Sequence, residues 1–430
     1  MLPPRRRCRS RLKRACVIGA GLAGLTTAFE LQQRGWDVTV LDEQGEVARG
    51  ASHANGSLLT PSMAEPWNAP GVHRHLVQSL FNPISPLRLW PSAIPSLLGW
   101  GVRFLRNSTA ARSRAATTAN FHLASYSLRC LDELRDRVGY RDTAAARGLV
   151  KIFRDFDGFH AALLGMRALQ GLGLRLEALD ADGAIRRVPT LAAITEQIAG
   201  ALFFPDDECA DAHLFCMTVA AALRRGGATL RLGAAVHSID TDGQQVRSIM
   251  VGDERIAADH VVVAAGVRSS ALMGALGIHL PIAPAKGYTV TLPLPAGFEP
   301  LPLPVADDAL HAAVIPVAGG LRLAGTAEFA GHDLRLQPHR TAQLLHVLEV
   351  ILPTLAAAVD RSRARTWIGL RPVSADGVPF VGSTGIGGLY VNAGHGPLGW
   401  TMAAGSARLL ADEMTGGAAA IDPRPYRVHR

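Results

Sequence analysis

Two apolar runs near opposite ends of the chain each break at glycines and then continue as a helical pattern. The first run, residues 16–18, leads into Gly19-Ala20-Gly21-Leu22-Ala23-Gly24, and the second, residues 389–392, leads into a glycine-rich loop over 394–399. After the first loop, apolar side chains recur at helical spacing until Gly35, which stands where a left-handed helix cap is expected. The pattern predicts a strand, a glycine turn and a helix at both ends.

The chain between these ends alternates between helical and strand-like stretches. Alternating residues over 283–330 predict antiparallel strands, and a proline followed by acidic residues predicts a turn at Pro205-Asp206-Asp207-Glu208. Strands are also predicted over 38–41, 148–153, 228–232, 246–251 and 260–266, and helices over 22–34, 115–138, 156–169, 211–225, 339–351 and 399–414. This order is typical of a mixed α/β protein.

The three glycines of the first turn, Gly19, Gly21 and Gly24, occupy the positions of the dinucleotide-binding fingerprint. They allow a tight turn, a close approach of the backbone to pyrophosphate, and close packing of the helix on the strand. Asp42 ends the next strand about 20 residues later, where an acid binds the ribose of an adenosine. The second glycine turn favours a long cofactor held at both ends, and FAD fits this pattern better than NAD.

Other positions are candidates for contact with the same cofactor. They lie in a small polar loop after Asp42, around the strand that ends at Ala265-Gly266, and in the final glycine loop, where backbone groups are free to approach an anion. With the first turn included, the candidates are Gly19, Ala20, Gly21, Leu22, Ala23, Gly24, Asp42, Glu43, Ser52, Asn55, Gly56, Val236, Ala265, Gly266, Gly394, His395, Gly396, Leu398, Gly399, Trp400 and Thr401.

These observations predict a Rossmann-like FAD-binding domain of the glutathione-reductase type, with an inserted substrate domain that contains antiparallel sheet. With 430 residues, the chain is long enough for two such domains. The predicted FAD-binding segments are 15–75, 205–275 and 366–420, the substrate domain covers 76–204 and 276–365, and residues 1–14 and 421–430 are a basic leader and a tail.

Charge and cysteine content narrow the classes of function. Seven of the 44 basic residues lie in the leader, and the remaining 37 nearly balance the 36 acidic residues, so the body of the protein argues against nucleic-acid binding. The five cysteines are scattered and do not suggest a disulfide framework, so a cytoplasmic location is expected. We predict no metal site, and no apolar run is long enough to span a bilayer.

Six motifs occur in a fixed order along residues 15–415. They are Ser52-His53-Ala54-Asn55-Gly56, Ala64-Glu65-Pro66-Trp67-Asn68-Ala69-Pro70-Gly71, Pro205-Asp206-Asp207-Glu208, Lys286-Gly287-Tyr288, Gly369-Leu370-Arg371-Pro372 with Asp376-Gly377, and Gly394-His395-Gly396 with Gly399-Trp400-Thr401-Met402. In these motifs the chain resembles the FAD-dependent D-amino acid oxidase superfamily, and within it the small-subunit type of D-amino acid dehydrogenase. The basic leader and His53, where the family tends to have a small residue, depart from the family pattern.

The resemblance implies an enzyme that passes a hydride from the Cα of an amino acid to flavin N5, after which the imine hydrolyses to a 2-oxo acid and ammonia. It implies that Arg371 binds the substrate carboxylate, which suits a planar guanidinium. Tyr288 either closes the pocket and binds the carboxylate or is a half-buried strand residue. His53 either contacts flavin or substrate or is a polar loop residue. His395 is expected to shape the loop that places helix 399–414 against the pyrimidine end of the flavin.

Three functions remain open at this point. They are a D-amino acid dehydrogenase that passes electrons to a quinone-type acceptor, a glycine-, sarcosine- or proline-type oxidase that uses oxygen, and a flavin subunit that relays electrons within a heteromeric complex. Residues 74–107 bear on this choice, because leucines and aromatic residues such as Trp100 and Phe104 are mixed with arginines and no acid. Such a segment suits either peripheral contact with a membrane or the lid and core of the substrate domain.

Overall fold

Two large sheets organise the computed structural model, which describes residues 13–82 and 85–430. Within these residues the strands are β1 (Arg14–Ile18), β2 (Asp37–Asp42), β3 (Leu58–Leu59), β4 (Leu87–Leu89), β5 (Ala146–Phe153), β6 (Glu177–Leu179), β7 (Gly200–Cys209), β8 (Thr229–Leu232), β9 (Val236–Thr241), β10 (Val246–Val251), β11 (Glu254–Ala257), β12 (His260–Val263), β13 (Ile282–Pro293), β14 (Val305–Asp307), β15 (Ala312–Val317), β16 (Gly320–Phe329), β17 (Arg365–Ser374), β18 (Phe380–Ser383) and β19 (Leu389–Ala393). The helices are α1 (Leu22–Gln33), α2 (Val72–Phe81), α3 (Ile94–Arg106), α4 (Ala110–Val138), α5 (Phe156–Gln170), α6 (Ala181–Arg187), α7 (Ala212–Arg225), α8 (Ser269–Gly274), α9 (Pro338–Ile351), α10 (Pro353–Ala358) and α11 (Gly399–Thr415).

The smaller of the two sheets has six strands in the order β18-β19-β12-β1-β2-β8. Its neighbours are parallel except for the edge pair β18–β19. α1 connects β1 to β2, and its Leu25 and Phe29 share one buried cluster with Val17 and Val40 of the sheet. Parallel strands joined by a covering helix form a Rossmann-like domain, as predicted.

The larger sheet has ten strands, eight of them in the order β17-β13-β16-β15-β14-β5-β7-β3. β13 pairs antiparallel with both β16 and β17, which confirms the antiparallel sheet predicted over 283–330. α9 covers one face of this sheet, where Leu344 and Leu348 pack with Tyr288 and Val290. A third sheet, β9 to β11, has three strands.

The predicted turn at Pro205–Glu208 is wrong, because these residues belong to β7. Phe204 of β7 pairs with Leu149 of β5, and Glu208 pairs with Arg147. Five residues of β7, 204–208, therefore lie opposite three residues of β5, 147–149. An irregularity of this kind interrupts the ladder of hydrogen bonds, so it tolerates Pro205, which has no N–H to donate. It also changes the direction of the side chains that follow. Asp207 is consequently buried rather than solvated.

The larger sheet also takes strands from the segments predicted for the FAD-binding domain. β3, the second half of β7 and nearly all of β17 lie in those segments. The second half of β7 nevertheless pairs with β5 of the substrate side, β17 pairs with β13, and β3 joins the same sheet through β7. At the start of the chain, Arg14 already belongs to β1, and residues 1–12 of the predicted leader lie outside the described residues. Among the described residues, no helix has both the length and the apolar character needed to cross a membrane.

Candidate active site

One cavity of about 1180 Å³ runs between the two large sheets. At one end it is lined by Gly19 and Gly21 of the first glycine turn, and at the other by Trp367 and Arg371 of β17. Ligand pockets for single small molecules usually measure about 300–1,000 Å³. The cavity therefore has room for an extended cofactor and for a small substrate beside it.

The glycine turn is packed so tightly that side chains are excluded from two of its positions. Gly19 has a φ of +115°, and a Cβ there would come within 3.0 Å of the carbonyl group of Ala264. A Cβ on Gly24 would come within 3.0 Å of the carbonyl group of Gly19, so this glycine lets α1 rest on the turn. Gly21 instead borders the cavity and begins α1 without a side-chain cap, which is the geometry of an anion site at a helix N-terminus.

Asp42 lies beside this turn at the end of β2. Its Oδ2 accepts a hydrogen bond from the backbone N–H of Ala20 at 2.6 Å, and its Oδ1 accepts one from the N–H of Gln44 at 2.8 Å. The carboxylate also lines the cavity, next to an ion pair between Glu43 and Arg268. At the N-terminus of α1, the N–H of Leu22 donates to Oγ of Ser52 at 3.2 Å, and Ser52 itself lines the cavity. The glycine turn, this helix N-terminus and the carboxylate of Asp42 together fit the pyrophosphate and the ribose of a dinucleotide cofactor.

The loop before α11 lines the cavity on a different side. α11 begins at Gly399 without a side-chain cap, so the partial positive charge of its N-terminus faces the cavity. His395 is buried at the start of this loop, and its Nε2 lies 3.0 Å from Oγ of Ser406. Burial lowers the pKa of His395 to about 4, so the imidazole is neutral at neutral pH. This environment agrees with a residue that shapes the loop.

Glycines on two neighbouring strands open the opposite end of the cavity. Gly287 of β13 lies directly across from Gly369 of β17. A Cβ on Gly287 would come within 3.0 Å of the guanidinium of Arg371, and a Cβ on Gly369 would come within 3.0 Å of the Trp367 ring. The two glycines therefore make the space that the arginine and the tryptophan occupy.

Arg371 lies on this cavity wall without a carboxylate partner among residues 13–82 and 85–430. Its one hydrogen bond runs from Nη1 to the carbonyl oxygen of Thr326 at 3.3 Å, and its guanidinium lies 5.8 Å from the ring centre of Trp67. Removal from water lowers the pKa of Arg371 to about 10, so it still carries its charge at neutral pH. A desolvated cation with most of its N–H groups free is a site for an anionic group of a ligand.

Tyr288 does not lie in the cavity, which agrees with the alternative of a strand residue and not with a residue that closes the pocket or binds the carboxylate. Strand residues alternate between the two faces of a sheet, so Gly287 and Thr289 face the cavity while Tyr288 points to the other side. There it is fully buried, and its hydroxyl donates to Oε2 of Glu328 at 3.0 Å. Burial raises the pKa of Tyr288, which keeps the hydroxyl protonated as a donor.

His53 also lies outside the residues that line the cavity. Its ring packs edge-on against His213 with 4.6 Å between ring centres, and it is 6.2 Å from the ring of Trp367, which does line the cavity. Burial lowers the pKa of His53. The residue therefore lies behind the cavity wall, which agrees with the alternative of a polar loop residue rather than with direct contact to substrate.

Most of the predicted cofactor residues do border the cavity. They are Gly19, Gly21, Leu22, Ala23, Asp42, Glu43, Ser52, Asn55, Gly56, Val236, Ala265, Gly266, His395, Gly396, Leu398, Gly399 and Trp400. Four predicted residues do not border it and have packing roles instead. Ala20 donates to Asp42, Gly24 supports α1, Gly394 has a φ of +83° beside Phe380, and Thr401 accepts a hydrogen bond from the N–H of Thr60 at 3.0 Å.

Several cavity residues were missed by the sequence analysis. Among them are Ser62, Trp67, Thr289 and Trp367, which reach the cavity from four parts of the chain. Gly287 and Gly369 lie opposite each other on neighbouring strands and leave a space that a large side chain can fill. A tryptophan two residues before Gly369 is a candidate to fill that space, and this signal could have pointed to Trp367.

Comparison with known proteins identifies relatives of this chain along most of its length. The family model described as FAD dependent oxidoreductase matches residues 14–413. The D-amino acid dehydrogenase of Rhizobium johnstonii is 36% identical over 416 residues, which cover 96% of this chain and 99% of that protein. The D-amino acid dehydrogenase of Vibrio vulnificus is 34% identical over 403 residues, which cover 94% of this chain and 96% of that protein.

Solved structures share the fold at lower identity. Glycine oxidase from Geobacillus kaustophilus superposes with a TM-score of 0.76 at 23% identity and covers 97% of this chain and 99% of its own. L-proline dehydrogenase from P. horikoshii has a TM-score of 0.76 at 18% identity, with 98% of both chains covered. Together the matches confirm the predicted fold, the predicted resemblance and the predicted FAD cofactor.

Proposed function

The chain belongs to the family of FAD-dependent oxidoreductases, and from this premise we propose that it oxidises a D-amino acid to its imine. Hydrolysis of the imine then yields a 2-oxo acid and ammonia. The stereochemical part of the proposal is supported by the relatives named D-amino acid dehydrogenase, which align with this chain over nearly their whole length.

The observation that carries the proposal is the isolated charge of Arg371. A guanidinium on the wall of a cavity, with one backbone hydrogen bond and no carboxylate among its described neighbours, is stabilised by an anion that enters the cavity. An α-carboxylate matches the planar fork of this side chain. Trp67 beside the guanidinium limits the directions from which that carboxylate can approach.

Other residues of the chain hold the cofactor and prepare the site. The turn at Gly19 and Gly21 would hold the pyrophosphate of FAD, Asp42 would bind its adenosine ribose, and the loop from His395 to Trp400 would hold its far end. FAD, when bound, supplies the hydride acceptor. Arg371 would bind the substrate carboxylate and so fix the orientation of the Cα–H bond relative to the cofactor.

Turnover with paired enantiomers tests the proposal. FAD-loaded protein is incubated with the D and L forms of a panel of amino acids and an artificial dye acceptor, so that the L form serves as the matched control for each D form. We expect 2-oxo acid and ammonia in equal amounts from D forms. Turnover of L forms alone, or no 2-oxo acid from any member of the panel, contradicts the proposal.

We further propose that the electrons leave to a quinone in a membrane on which the protein docks. α2 lies at the cavity: its His75 and Gln78 line the cavity, while its Val77 and Phe81 are 58% and 84% exposed. α3 adds a second apolar stripe, with Leu98 60% exposed and Val102 and Leu105 each 47% exposed. Residues 98, 102 and 105 fall on one face of a helix.

Basic residues flank this apolar surface. Arg103, Arg106 and Arg112 line an open cleft of about 640 Å³ and have no ion-pair partner in the described part of the chain. Apolar side chains edged by free arginines are suited to the interface of an anionic bilayer. Not every apolar residue of this segment takes part. Phe104 is 1% exposed and Trp100 donates its Nε1–H to the carbonyl of Val373 at 2.9 Å, so both belong to the protein core.

Co-sedimentation with anionic phosphatidylglycerol vesicles tests the docking surface. We expect wild type to sediment with vesicles at low salt and Phe81→Glu, Leu98→Glu to remain in the supernatant. The matched control is Leu164→Glu, Met217→Glu, which changes two exposed residues on α5 and α7 and is expected to sediment like wild type. Equal sedimentation of both double variants, or a wild type that stays in the supernatant and reduces oxygen as fast as a quinone analogue, contradicts docking.

A further inference from the structure

Asp207 is a buried carboxylate that none of the steps above uses. It is 0% exposed, and both of its oxygens are engaged by one residue: Oδ1 accepts from the N–H of Ser62 at 3.2 Å, and Oδ2 accepts from the hydroxyl of the same serine. No cation pairs with it among the described residues. A buried carboxylate costs several kcal/mol of desolvation, so its retention next to a cavity points to a function.

Ser62 connects Asp207 to the cavity, because Ser62 is itself one of the lining residues. The segment that carries it is fixed at both ends. On one side, the N–H of Thr60 donates to Oγ1 of Thr401 at the start of α11, and on the other, the ring of Trp67 lies beside the guanidinium of Arg371. Along the chain, Ser62 therefore lies between a residue that is bonded to α11 and a residue beside the arginine proposed to hold the substrate carboxylate, and it lines the same cavity.

The reaction needs a proton acceptor in this region. An amino acid carries an ammonium group at neutral pH, and a hydride leaves Cα readily only when the nitrogen has a free lone pair. The imidazole of His395, with a pKa lowered to about 4 by burial, is a weak base. The other acids near Asp207 are already paired, Asp206 with Arg175, and Glu208 with Arg135 and Arg147.

We propose that Ser62 and Asp207 form a relay that takes the proton from the substrate ammonium. The N–H proton passes to Oγ of Ser62 as the hydroxyl proton of Ser62 passes to Oδ2 of Asp207. The products of this step are a neutral amine, an unchanged serine and a protonated carboxyl group, with no change in oxidation state. The proton returns through Ser62 to water when product leaves. This inference rests on the proposed oxidation of an amino acid.

The electrostatics of Asp207 agree with that role. Burial raises the pKa of Asp207 to about 7, with smaller upward contributions from Asp206 and Glu208, while the hydrogen bonds from Ser62 lower it. The carboxyl group can therefore both accept and release a proton near neutral pH. The irregular pairing of β7 with β5 places Asp207 between two acids that are paired with arginines, Asp206 with Arg175 and Glu208 with Arg135.

The test compares the pH profiles of flavin bleaching under anaerobic conditions for FAD-loaded wild type, Asp207→Asn and Ser62→Ala, with a substrate of wild type. General-base catalysis contributes roughly 10²- to 10⁴-fold. We expect both variants to lose activity by a factor in that range at neutral pH and to regain it at alkaline pH, where the ammonium ionises by itself. Asp206→Asn is the matched control: it removes a neighbouring acid that raises the pKa of Asp207 less than burial does, so the activity should stay near the wild-type value at neutral pH and the profile should at most move slightly to lower pH.

The outcomes separate this inference from the proposed function. If no amino acid bleaches the wild-type flavin, the proposed function fails and the relay fails with it. If wild type is bleached but Asp207→Asn has the wild-type pH profile, or loses the same factor at every pH, the relay is wrong and Asp207 only anchors the segment around Ser62. A shift of the profile in Glu65→Gln, another acid on the cavity wall, with none in Asp207→Asn, also overturns it.

Discussion

Each face of β13 lies near an arginine, and the two arginines differ in their hydrogen-bond partners. On the core face, Arg340 donates from Nε to Glu328 at 2.8 Å and from Nη1 to the carbonyl of Ser85 at 3.0 Å. Lys286 lies 3.2 Å from the same glutamate, and all three charged residues are 0% exposed. On the cavity face, Arg371 has one backbone hydrogen bond and no described carboxylate.

The presence or absence of a carboxylate partner distinguishes an arginine that stabilises the fold from one that can bind an anionic ligand. Although burial by itself raises the pKa of Glu328, the hydrogen bond from Arg340 and the charges of Arg340 and Lys286 lower it overall, so the glutamate stays ionised within its own network. Arg371 receives no such compensation from the protein. An arginine that is buried and paired with a carboxylate of the protein stabilises the fold, whereas a desolvated arginine with no described carboxylate partner binds substrate.

Removal of the shared anion on the core face is expected to have the largest effect. Glu328→Gln leaves Lys286 and Arg340 buried without a counter-charge, and breaking a buried pair in this way costs about 3–5 kcal/mol. Urea unfolding measures the loss. Glu349→Gln is the control, because this glutamate pairs with His346 and Arg361 on the surface, where an ion pair contributes about 0–1 kcal/mol. Equal effects of the two substitutions would show that the buried network does not stabilise the fold.

Removal of the cavity-face charge is expected to affect catalysis and not folding. Arg371→Leu should bind FAD and unfold near the wild-type urea concentration, because the substitution leaves no described charged group unpaired and removes only the 3.3 Å hydrogen bond to the carbonyl oxygen of Thr326. The lost charge-assisted hydrogen bonds cost about 1.5–3 kcal/mol, so kcat/KM should fall on the order of 10- to 100-fold or more. Near-wild-type kinetics, or a large loss of stability, would mean that Arg371 has a structural role like that of Arg340.

A smaller effect is expected from the glycine beneath the guanidinium. In Gly287→Ala, the added Cβ comes within 3.0 Å of the guanidinium of Arg371, which must move away from its present position. We expect FAD binding to be retained and kcat/KM to fall on the order of 10-fold, as for one displaced hydrogen bond. Gly165→Ala on α5 is the control, since no atom lies within 4 Å of its added Cβ. A Gly287→Ala enzyme with unchanged kinetics would mean that the guanidinium position is not important.

The smallest effect is expected at Tyr288. Tyr288→Phe removes the hydroxyl that donates to Glu328 at 3.0 Å, which should lower the free energy of unfolding by about 0.5–1.5 kcal/mol. KM and kcat should stay at wild-type values, because the side chain faces the core. An increase in KM with unchanged stability would instead place Tyr288 at the substrate and contradict the division of β13 into two faces.

The cofactor end of the site was predictable because its signal is local. Gly19, Gly21 and Gly24 specify the turn through their own backbone geometry, and Asp42 follows at the end of the next strand. The substrate end depends on partners far apart in sequence. Strand alternation shows that Gly287 and Tyr288 face opposite sides of the sheet, but both faces of β13 are covered, one by the cavity and one by α9. Sequence pattern does not say which side holds the substrate.

The positions of His53 and Asp207 were also unpredictable, because each depends on residues that are distant in sequence. His53 lies in a loop that does approach the cavity, but its own ring packs against His213. Trp367, which comes from a strand more than 300 positions later and lies 6.2 Å from His53, lines the cavity instead. Asp207 looked like part of a solvated turn because proline and acids dominate its segment. The mismatch in pairing between β5 and β7 keeps the segment in the sheet and turns one acid inward, and that mismatch involves both strands.

The most direct measurement of the central claim is anaerobic bleaching of FAD-loaded protein by a D-amino acid substrate and by the amine that lacks its carboxylate. We predict rapid bleaching of the wild type by the acid and little or none by the amine. In Arg371→Leu, the acid should lose its advantage over the amine, because the group that distinguishes them is gone. If acid and amine bleach the wild-type flavin equally, or if Arg371→Leu keeps the full preference for the acid, Arg371 does not hold the substrate carboxylate and the account is wrong.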